Sequence, residues 1–375
     1  MRAKPTHMAK RLLLLNGLAI LGVVMNHSAS WDFIAMFWWT DRYMAVSVPN
    51  FDAMGSASYY ALRLIEQVMA FGVPAFLFVS GYFVAFAAAR SRAFDAWRVT
   101  AARVPTLIVP YVVWSVAMFL YGYALGTKYT AAGYGWMLVT GRAADPYYFV
   151  PLLVHMLLLA PLLVVAAKRN WRMLLLAAGV LQACIQSLRY VEALGIDSPV
   201  LLGLSRAIPD WFFATKAFWF ALGIVAGLNL TEFRQAVVRQ RRVLLIVLVT
   251  MLPVCLVEWE WILAHSHRDW IGYFDTTLDS VYALAFILWF VASDVRLPVS
   301  PAFVHLGGRS YGVYLAHALF LPVVAKMMYR ITPFVLSSRM LFLVVLIVLG
   351  LGMPLLLMKA LERSPAHRAY RWLFG

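Results

Sequence analysis

Ten apolar stretches, each close to the length that crosses a lipid bilayer, constrain this chain more than any other feature. A helix needs roughly 20 apolar residues to span the hydrocarbon core. The stretches predict transmembrane helices at 12–31, 65–88, 104–124, 147–167, 173–190, 211–230, 243–263, 276–293, 310–329 and 340–359. Because lipid offers backbone groups no hydrogen-bond partners, we expect an all-α, polytopic transmembrane helix bundle of about ten spans.

The composition excludes an ordinary soluble fold. Of the 375 residues, 63% are hydrophobic and 13% are charged, whereas a soluble domain is about half apolar and about a quarter charged. The two cysteines, Cys184 and Cys255, lie inside apolar runs. We expect both to be small buried hydrophobic residues, without a disulfide framework or a cysteine zinc site. The chain is predicted to be a single membrane-embedded domain, 1–375, with no appended soluble domain.

The distribution of basic residues predicts the orientation. The net charge is +15, and most of the 32 lysines and arginines fall in every second connection between spans. Cytoplasmic connections carry such an excess, so we expect a multi-pass protein of the inner (plasma) membrane with both termini in the cytoplasm. Once these connections are assigned, no basic surface is left for a nucleic-acid partner.

The other connections are rich in aspartates and aromatic residues. Their aromatic side chains fit either an interfacial belt or a sugar-binding rim, and both interpretations stay open. Glu258 and Glu260 are interpreted as interfacial charges in preference to acceptor contacts. Arg63 and Glu66, three residues apart, are expected to pair on one helix face. The aspartates of these outer connections, mentioned above with the aromatic residues, are Asp32, Asp41, Asp52, Asp145, Asp197, Asp210 and Asp269.

Three histidines lie inside predicted spans, where an ionisable group is costly and often functional. His27 follows Asn26 in the outer part of the first span, His155 lies in the fourth, and His317 lies in the ninth. Each fits a hydrogen bond between helices or a general base that takes a proton from a hydroxyl. They come from three helices with no carboxylate at ligand spacing, so we expect no metal site.

Four stretches, in chain order, resemble the acyltransferase-3 family. The first is LNGLAILGVVMNH, which ends at His27, and the second is VPAFLFVSGY, which contains Ser80. The third is RVPTLIVPY, which starts at Arg103 and is followed by Trp114. The fourth is LGGRSYGVYLAH, which ends at His317. Each stretch is weakly specific, but four in order with the expected helix count favour the family.

The resemblance implies a membrane acyltransferase. Such a protein takes an acyl group, usually acetyl, from cytoplasmic acyl-coenzyme A and delivers it to a hydroxyl of an envelope carbohydrate or a related, lipid-linked acceptor. Acyl-coenzyme A is a substrate, and no bound cofactor is implied. His27 would be the general base, with Ser80 or Tyr311 donating to the developing oxyanion. Donor contacts would come from Arg98, Arg103, Tyr111 and Arg309, and acceptor or supporting contacts from Asn26, Tyr148, His155 and His317.

The chain departs from the family pattern at two positions. The family usually has an arginine eleven residues before the opening histidine, where this chain has Asn16. Positions 16 and 27 lie about 20° apart on one helix face, about 16 Å along the axis, and Arg11 projects from nearly the opposite face. A second family arginine corresponds to Thr106. The alternatives are a transporter or flippase of an envelope precursor and a catalytically inactive relative.

Overall fold

Every regular element is helical in the computed structural model, which describes residues 7–88, 97–98, 100–293 and 300–375. This confirms the all-α class. The first eight helices are α1 (His7–Phe37), α2 (Ala57–Met69), α3 (Gly72–Ala88), α4 (Val104–Ala124), α5 (Ala131–Thr140), α6 (Phe149–Ala193), α7 (Pro199–Ala207) and α8 (Ala217–Leu228). The others are α9 (Leu230–Arg239), α10 (Arg241–His265), α11 (Thr277–Ala292), α12 (Ser300–Gly308), α13 (Ser310–Ile331), α14 (Arg339–Arg363) and α15 (Tyr370–Phe374).

Within the described residues, seven helical stretches are long and apolar enough to cross a membrane. An eighth span is formed if α8 and α9, which are bent by 109° at their junction, are taken together. The apolar helix α11 is shorter, with 16 residues. These helices confirm a multi-pass membrane protein and are compatible with the ten predicted spans.

The long helix α6 contains two of the predicted spans. Asn170 leaves helical geometry (φ −158°, ψ 89°), and its side-chain oxygen accepts a hydrogen bond of 3.1 Å from the backbone N–H of Met173. His155 stacks on Trp211, while Arg189 donates a 2.8 Å bond to Asp210. Both ends of α6 therefore lie beside the same connection, which means that the chain turns back at Asn170.

The second span starts earlier in the chain than predicted. It consists of α2 and α3 and begins at Ala57, where the sequence pattern suggested 65. Ser56 caps α2, because its hydroxyl oxygen accepts a 3.2 Å hydrogen bond from the backbone N–H of Tyr59. Since α1 also extends to Phe37, the connection after it covers 38–56 and is shorter than the predicted 32–64.

Glycines allow two pairs of helices to touch backbone to backbone. A Cβ on Gly81 of α3 would lie 2.2 Å from the carbonyl oxygen of Phe220, and one on Gly223 of α8 would lie 2.0 Å from that of Phe78. A Cβ on Gly307 of α12 would lie 1.9 Å from the carbonyl oxygen of Leu13. Small residues drive helix association in membranes because they permit such close approach.

One end of the bundle, where α1 begins, is called the basic face below. Arg11 donates there to the carbonyls of Phe290 and Ser293 at the end of α11. This engagement explains why Arg11 cannot replace an arginine at Asn16. The other end of the bundle is called the opposite face.

Arg63 is enclosed by aromatic rings near the opposite face. It pairs with Glu66 at 2.8 Å, as predicted. Its guanidinium lies 4.2 Å from the ring centre of Trp259 and 4.5 Å from that of Trp270. Such cation–π contacts are favourable where water is excluded. Trp259 and Trp270 thus belong to a packed cluster and not to an interfacial belt or a sugar-binding rim.

The two glutamates beside this cluster, interpreted from the sequence as interfacial charges, form hydrogen bonds with neighbouring elements. Glu260 accepts a 2.7 Å hydrogen bond from the hydroxyl of Tyr59. Glu258 accepts one of 2.7 Å from Thr276 and another from Tyr190. Both partly buried carboxylates therefore link α10 to neighbouring elements through hydrogen bonds.

The two cysteines differ in exposure. Cys255 is buried, as expected, whereas Cys184 is exposed. The prediction for Cys184 was wrong because a small apolar side chain in a membrane span faces lipid as readily as it faces other helices.

Candidate active site

His27 and His317 lie against each other in the bundle. Their ring centres are 5.5 Å apart and the ring planes are tilted by 36°. His317 is fully buried, and its Nδ1 lies 3.2 Å from the carbonyl oxygen of Val313 on the same helix. Because a carbonyl only accepts, Nδ1 carries the hydrogen in that contact. The Nε2 atom of His317 is then an acceptor, and it has no hydrogen-bond partner among the described residues.

His27 is partly exposed, although it packs on the fully buried His317. Asn16 lies on the same face of α1, about 16 Å nearer the basic face. The buried side-chain oxygen of Asn16 has no partner in the described part of the chain. One face of α1 therefore carries two polar side chains, Asn16 nearer the basic face and His27 nearer the opposite face.

The segment that contains Asp145 re-enters the bundle. After α4, the short helix α5 runs back beside it, since the hydroxyl of Tyr111 donates a 2.6 Å bond to the carbonyl of Leu138. Gly141 follows α5 at φ 72°, and a Cβ there would lie 2.6 Å from the carbonyl oxygen of Tyr147. Only glycine combines this conformation with such close approach. A 3₁₀ turn, Asp145–Tyr148, then leads into α6.

Reciprocal hydrogen bonds fasten this turn to α13. The hydroxyl of Tyr147 donates to the carbonyl of Leu315 at 2.7 Å, and the hydroxyl of Tyr314 donates to the carbonyl of Pro146. His317 lies one helical turn after Tyr314, with ring centres 5.8 Å apart. The turn brings Asp145 close enough to His27 for the two side chains to interact electrostatically.

Asp145 was assigned to an outer connection by its sequence position, and its nearness to His27 was missed. The signal was the apolar run of α5, which has 10 residues. A run of this length is too short to cross the bilayer and is typical of a re-entrant segment.

Ser80 lies away from the histidine pair. Helices α1 and α3 cross where a Cβ on Gly72 would lie 3.3 Å from the carbonyl oxygen of Ala19 and 3.2 Å from Val23. From this crossing Ser80 lies about 12 Å toward the basic face and His27 about 6 Å toward the opposite face, at 1.5 Å per residue. The Cα atoms of Ser80 and His27 are thus about 18 Å apart along the axis.

Tyr311 and Tyr111 use their hydroxyls within the bundle. Tyr311 donates to the carbonyl of Leu107 at 2.5 Å, and Tyr111 donates to Leu138. An oxyanion or donor contact by either hydroxyl would have to replace one of these bonds. Their observed contacts tie α4 to α13 and to α5.

The arginines predicted to bind the donor lie at the basic face and differ in exposure and in ion pairing. Arg309 is paired with Glu362, at 2.8 and 3.1 Å from its two oxygens. Arg103 caps the start of α4 and is exposed, and Arg98 is also exposed. Arg103 has no ion-pair partner within the described ranges. Arg103 is thus an accessible charge at the start of α4.

The other two candidate residues lie toward the connection before α8. His155 stacks on Trp211, with ring centres 5.7 Å apart. Tyr148 ends the 3₁₀ turn before α6, and Lys216, just before α8, forms an ion pair with Asp275. Asn26 is partly buried beside His27.

Among the residues with described positions, no group of three or more His, Cys, Asp or Glu side chains is placed to hold a metal ion.

These features define a class: a polytopic helical membrane protein with two histidines in contact inside the helix bundle, one of them fully buried, suited to proton transfer. The family model for the acyltransferase domain of the acyltransferase-3 family matches residues 11–359. The chain therefore belongs to this family and is a membrane acyltransferase. No curated protein and no solved structure matches the chain significantly.

Proposed function

We propose that this protein moves an acyl group, acetyl being the usual one in the family, from acyl-coenzyme A to a hydroxyl of an envelope carbohydrate or lipid-linked acceptor. His27 takes the proton of the acceptor hydroxyl as the oxygen attacks the thioester carbonyl. The carbon–sulfur bond then breaks. Coenzyme A leaves as the thiol after its sulfur takes the proton from the His27 imidazolium, and the acceptor carries the new ester.

The contact between His27 and His317, with Asp145 close by, is the observation that carries this proposal. An N–H of His27 directed at the unpaired Nε2 acceptor of His317 would be stabilised by it, because the two rings are in contact. The lone pair of the other His27 nitrogen is then available to the acceptor. Asp145 is exposed at the start of the turn before α6, and its negative charge acts on His27 electrostatically, which favours the imidazolium that forms during the reaction.

The direct test is acyl transfer by the purified protein in liposomes. With labelled acetyl-coenzyme A and an envelope polysaccharide extract, we expect label in the polysaccharide and one free thiol for each acetyl group transferred. A transporter would move label across the bilayer without releasing thiol. An inactive relative would bind coenzyme A and release none. Either result would contradict the proposed function.

The basic face is proposed to be cytoplasmic, because basic connections are retained inside. In a Cys184→Ala/Cys255→Ala background, a cysteine at the exposed position Asp52 should react with a membrane-impermeant maleimide in intact cells. A cysteine at the exposed position Arg172 should react only after permeabilisation. The reverse labelling pattern would invert the orientation and place the donor on the other side.

A further inference from the structure

The segment after α14, residues 364–375, folds back against the bundle at the basic face. It lies beyond the end of the family match at residue 359. The indole Nε1 of Trp114 donates a 2.8 Å bond to the carbonyl of Leu373, and the Phe374 ring is buried 6.1 Å from that of Trp114. A Cβ on Gly375 would lie 2.9 Å from the carbonyl oxygen of Thr106. Helix α15 is thus held against the start of α4.

A cationic groove of about 590 Å³ runs between this segment and α4. Its volume falls within the range of about 300–1,000 Å³ typical of ligand pockets. Thr106 and Val109 contribute to the wall on α4, and the other wall carries His367, Arg368, Arg371 and Trp372.

The side chains that line the groove carry positive charge and no acidic group. Arg368 and Arg371 are exposed and form no ion pair with the described residues. No carboxylate lines the groove, and Glu362, at the end of α14, is already paired with Arg309. Two guanidinium groups without acidic partners are suited to bind phosphates through forked hydrogen bonds.

An aromatic ring lies beside these arginines. Trp372 lines the same groove and is 62% exposed. An exposed indole provides a flat surface on which a nucleobase can stack. A lipid headgroup would use the arginines but has no planar ring to place on Trp372, so the combination favours a nucleotide.

The position of Thr106 connects the groove to the missing family charge. Thr106 stands where the family usually has its second arginine, and it lies on the groove wall. Arg368 and Arg371 enter the same groove from the segment beyond the family match. Positive charge absent from α4 is thus present across the groove.

We propose that this groove binds the nucleotide part of acyl-coenzyme A, with Arg368 and Arg371 on the phosphates and Trp372 on the adenine. The proposal rests on the proposed function, because it assigns a binding site for that donor. It also explains how the chain operates without arginines at Asn16 and Thr106.

The test uses 3′,5′-ADP, the nucleotide portion of coenzyme A, and the full chain in a nanodisc of zwitterionic lipid. Calorimetry should show Arg368→Ala/Arg371→Ala binding at least 100-fold more weakly than the parent, since two charge-assisted contacts are lost. Trp372→Ala should weaken binding about tenfold, and Trp372→Phe should retain most of it. The matched control, Lys359→Ala/Arg363→Ala, removes equal charge from exposed residues outside the groove and should bind normally.

A variant that places a positive charge on the other wall of the groove makes the test specific. Adding Thr106→Arg to the weakened double variant should restore at least tenfold in affinity, because the new guanidinium enters the same groove. Unchanged nucleotide affinity in Arg368→Ala/Arg371→Ala, or an equal loss of affinity in the control, would contradict the proposed binding site. Phosphatidylglycerol is added as a competitor. If it displaces 3′,5′-ADP, if the displacement needs Arg368 and Arg371, and if no nucleotide binds at its cellular concentration, the groove is a lipid site instead.

Acyl transfer is measured on the same preparations, so the two proposals can fail separately. If Arg368→Ala/Arg371→Ala transfers acetyl at the parent rate and binds the nucleotide with unchanged affinity, the groove proposal is wrong and the acyltransferase proposal stands. If the nucleotide binds in a way that depends on the groove residues but the protein releases no thiol, the groove proposal stands and the proposed reaction is wrong.

Discussion

Replacing His27 with alanine should lower the rate of acyl transfer by about 10²–10⁴-fold, the usual contribution of a general base. His27→Gln should be almost as inactive, because an amide keeps a hydrogen bond but does not accept the proton. Binding of 3′,5′-ADP should be unchanged in both variants, since the groove and His27 are formed by different elements. The measurements are initial rates in liposomes and calorimetric affinities on the same samples.

A histidine outside the site provides the control. His265 is exposed at the end of α10, with Nδ1 2.7 Å from the carbonyl oxygen of Trp261, and His265→Gln should transfer at the parent rate. Retention of most activity by His27→Gln would show that His27 only donates a hydrogen bond. The general base would then be sought at His317, whose ring packs against His27 and whose Nε2 has no hydrogen-bond partner among the described residues.

The second large effect is expected at the crossing of α3 and α8. Gly81→Ala and Gly223→Ala should each destabilise the protein by about 1–3 kcal/mol, because the new methyl group overlaps a backbone carbonyl that cannot move aside. In detergent, both variants should lose their monodisperse chromatographic peak at a lower temperature than the parent.

The matched substitution is Gly352→Ala in α14, where a Cβ would meet nothing within 4 Å. There the change should be neutral or stabilising, by up to about 1 kcal/mol, because alanine is the better helix former. Parent-like melting of Gly81→Ala would contradict the close backbone contact between α3 and α8.

The spans could be predicted because hydrocarbon imposes a length and an apolar composition on every crossing segment. The same reasoning placed Arg63 and Glu66 on one helix face, since residues three apart are neighbours on a helix. It misplaced the start of the second span, because the capping of α2 by Ser56 depends on a local hydrogen bond that hydropathy does not register.

The site was only partly accessible from sequence. His27 and His317 were identified because an ionisable residue in an apolar span is unusual. Their mutual contact was not, since periodicity describes one helix at a time. Asp145 was missed because a re-entrant segment is set by Gly141 and by tyrosine hydroxyls that reach carbonyls far away in the chain.

The sequence by itself determined that this chain is a helical membrane protein and which residues are costly enough in lipid to suggest chemistry. Those properties follow from transfer energies that act on each segment alone. Only the tertiary structure decided that His317 and Asp145 join His27, that Ser80 does not, and that Arg368 and Arg371 share a groove with Thr106. These neighbours are separated by up to hundreds of residues, and they meet because packing and hydrogen bonding select one arrangement of the helices.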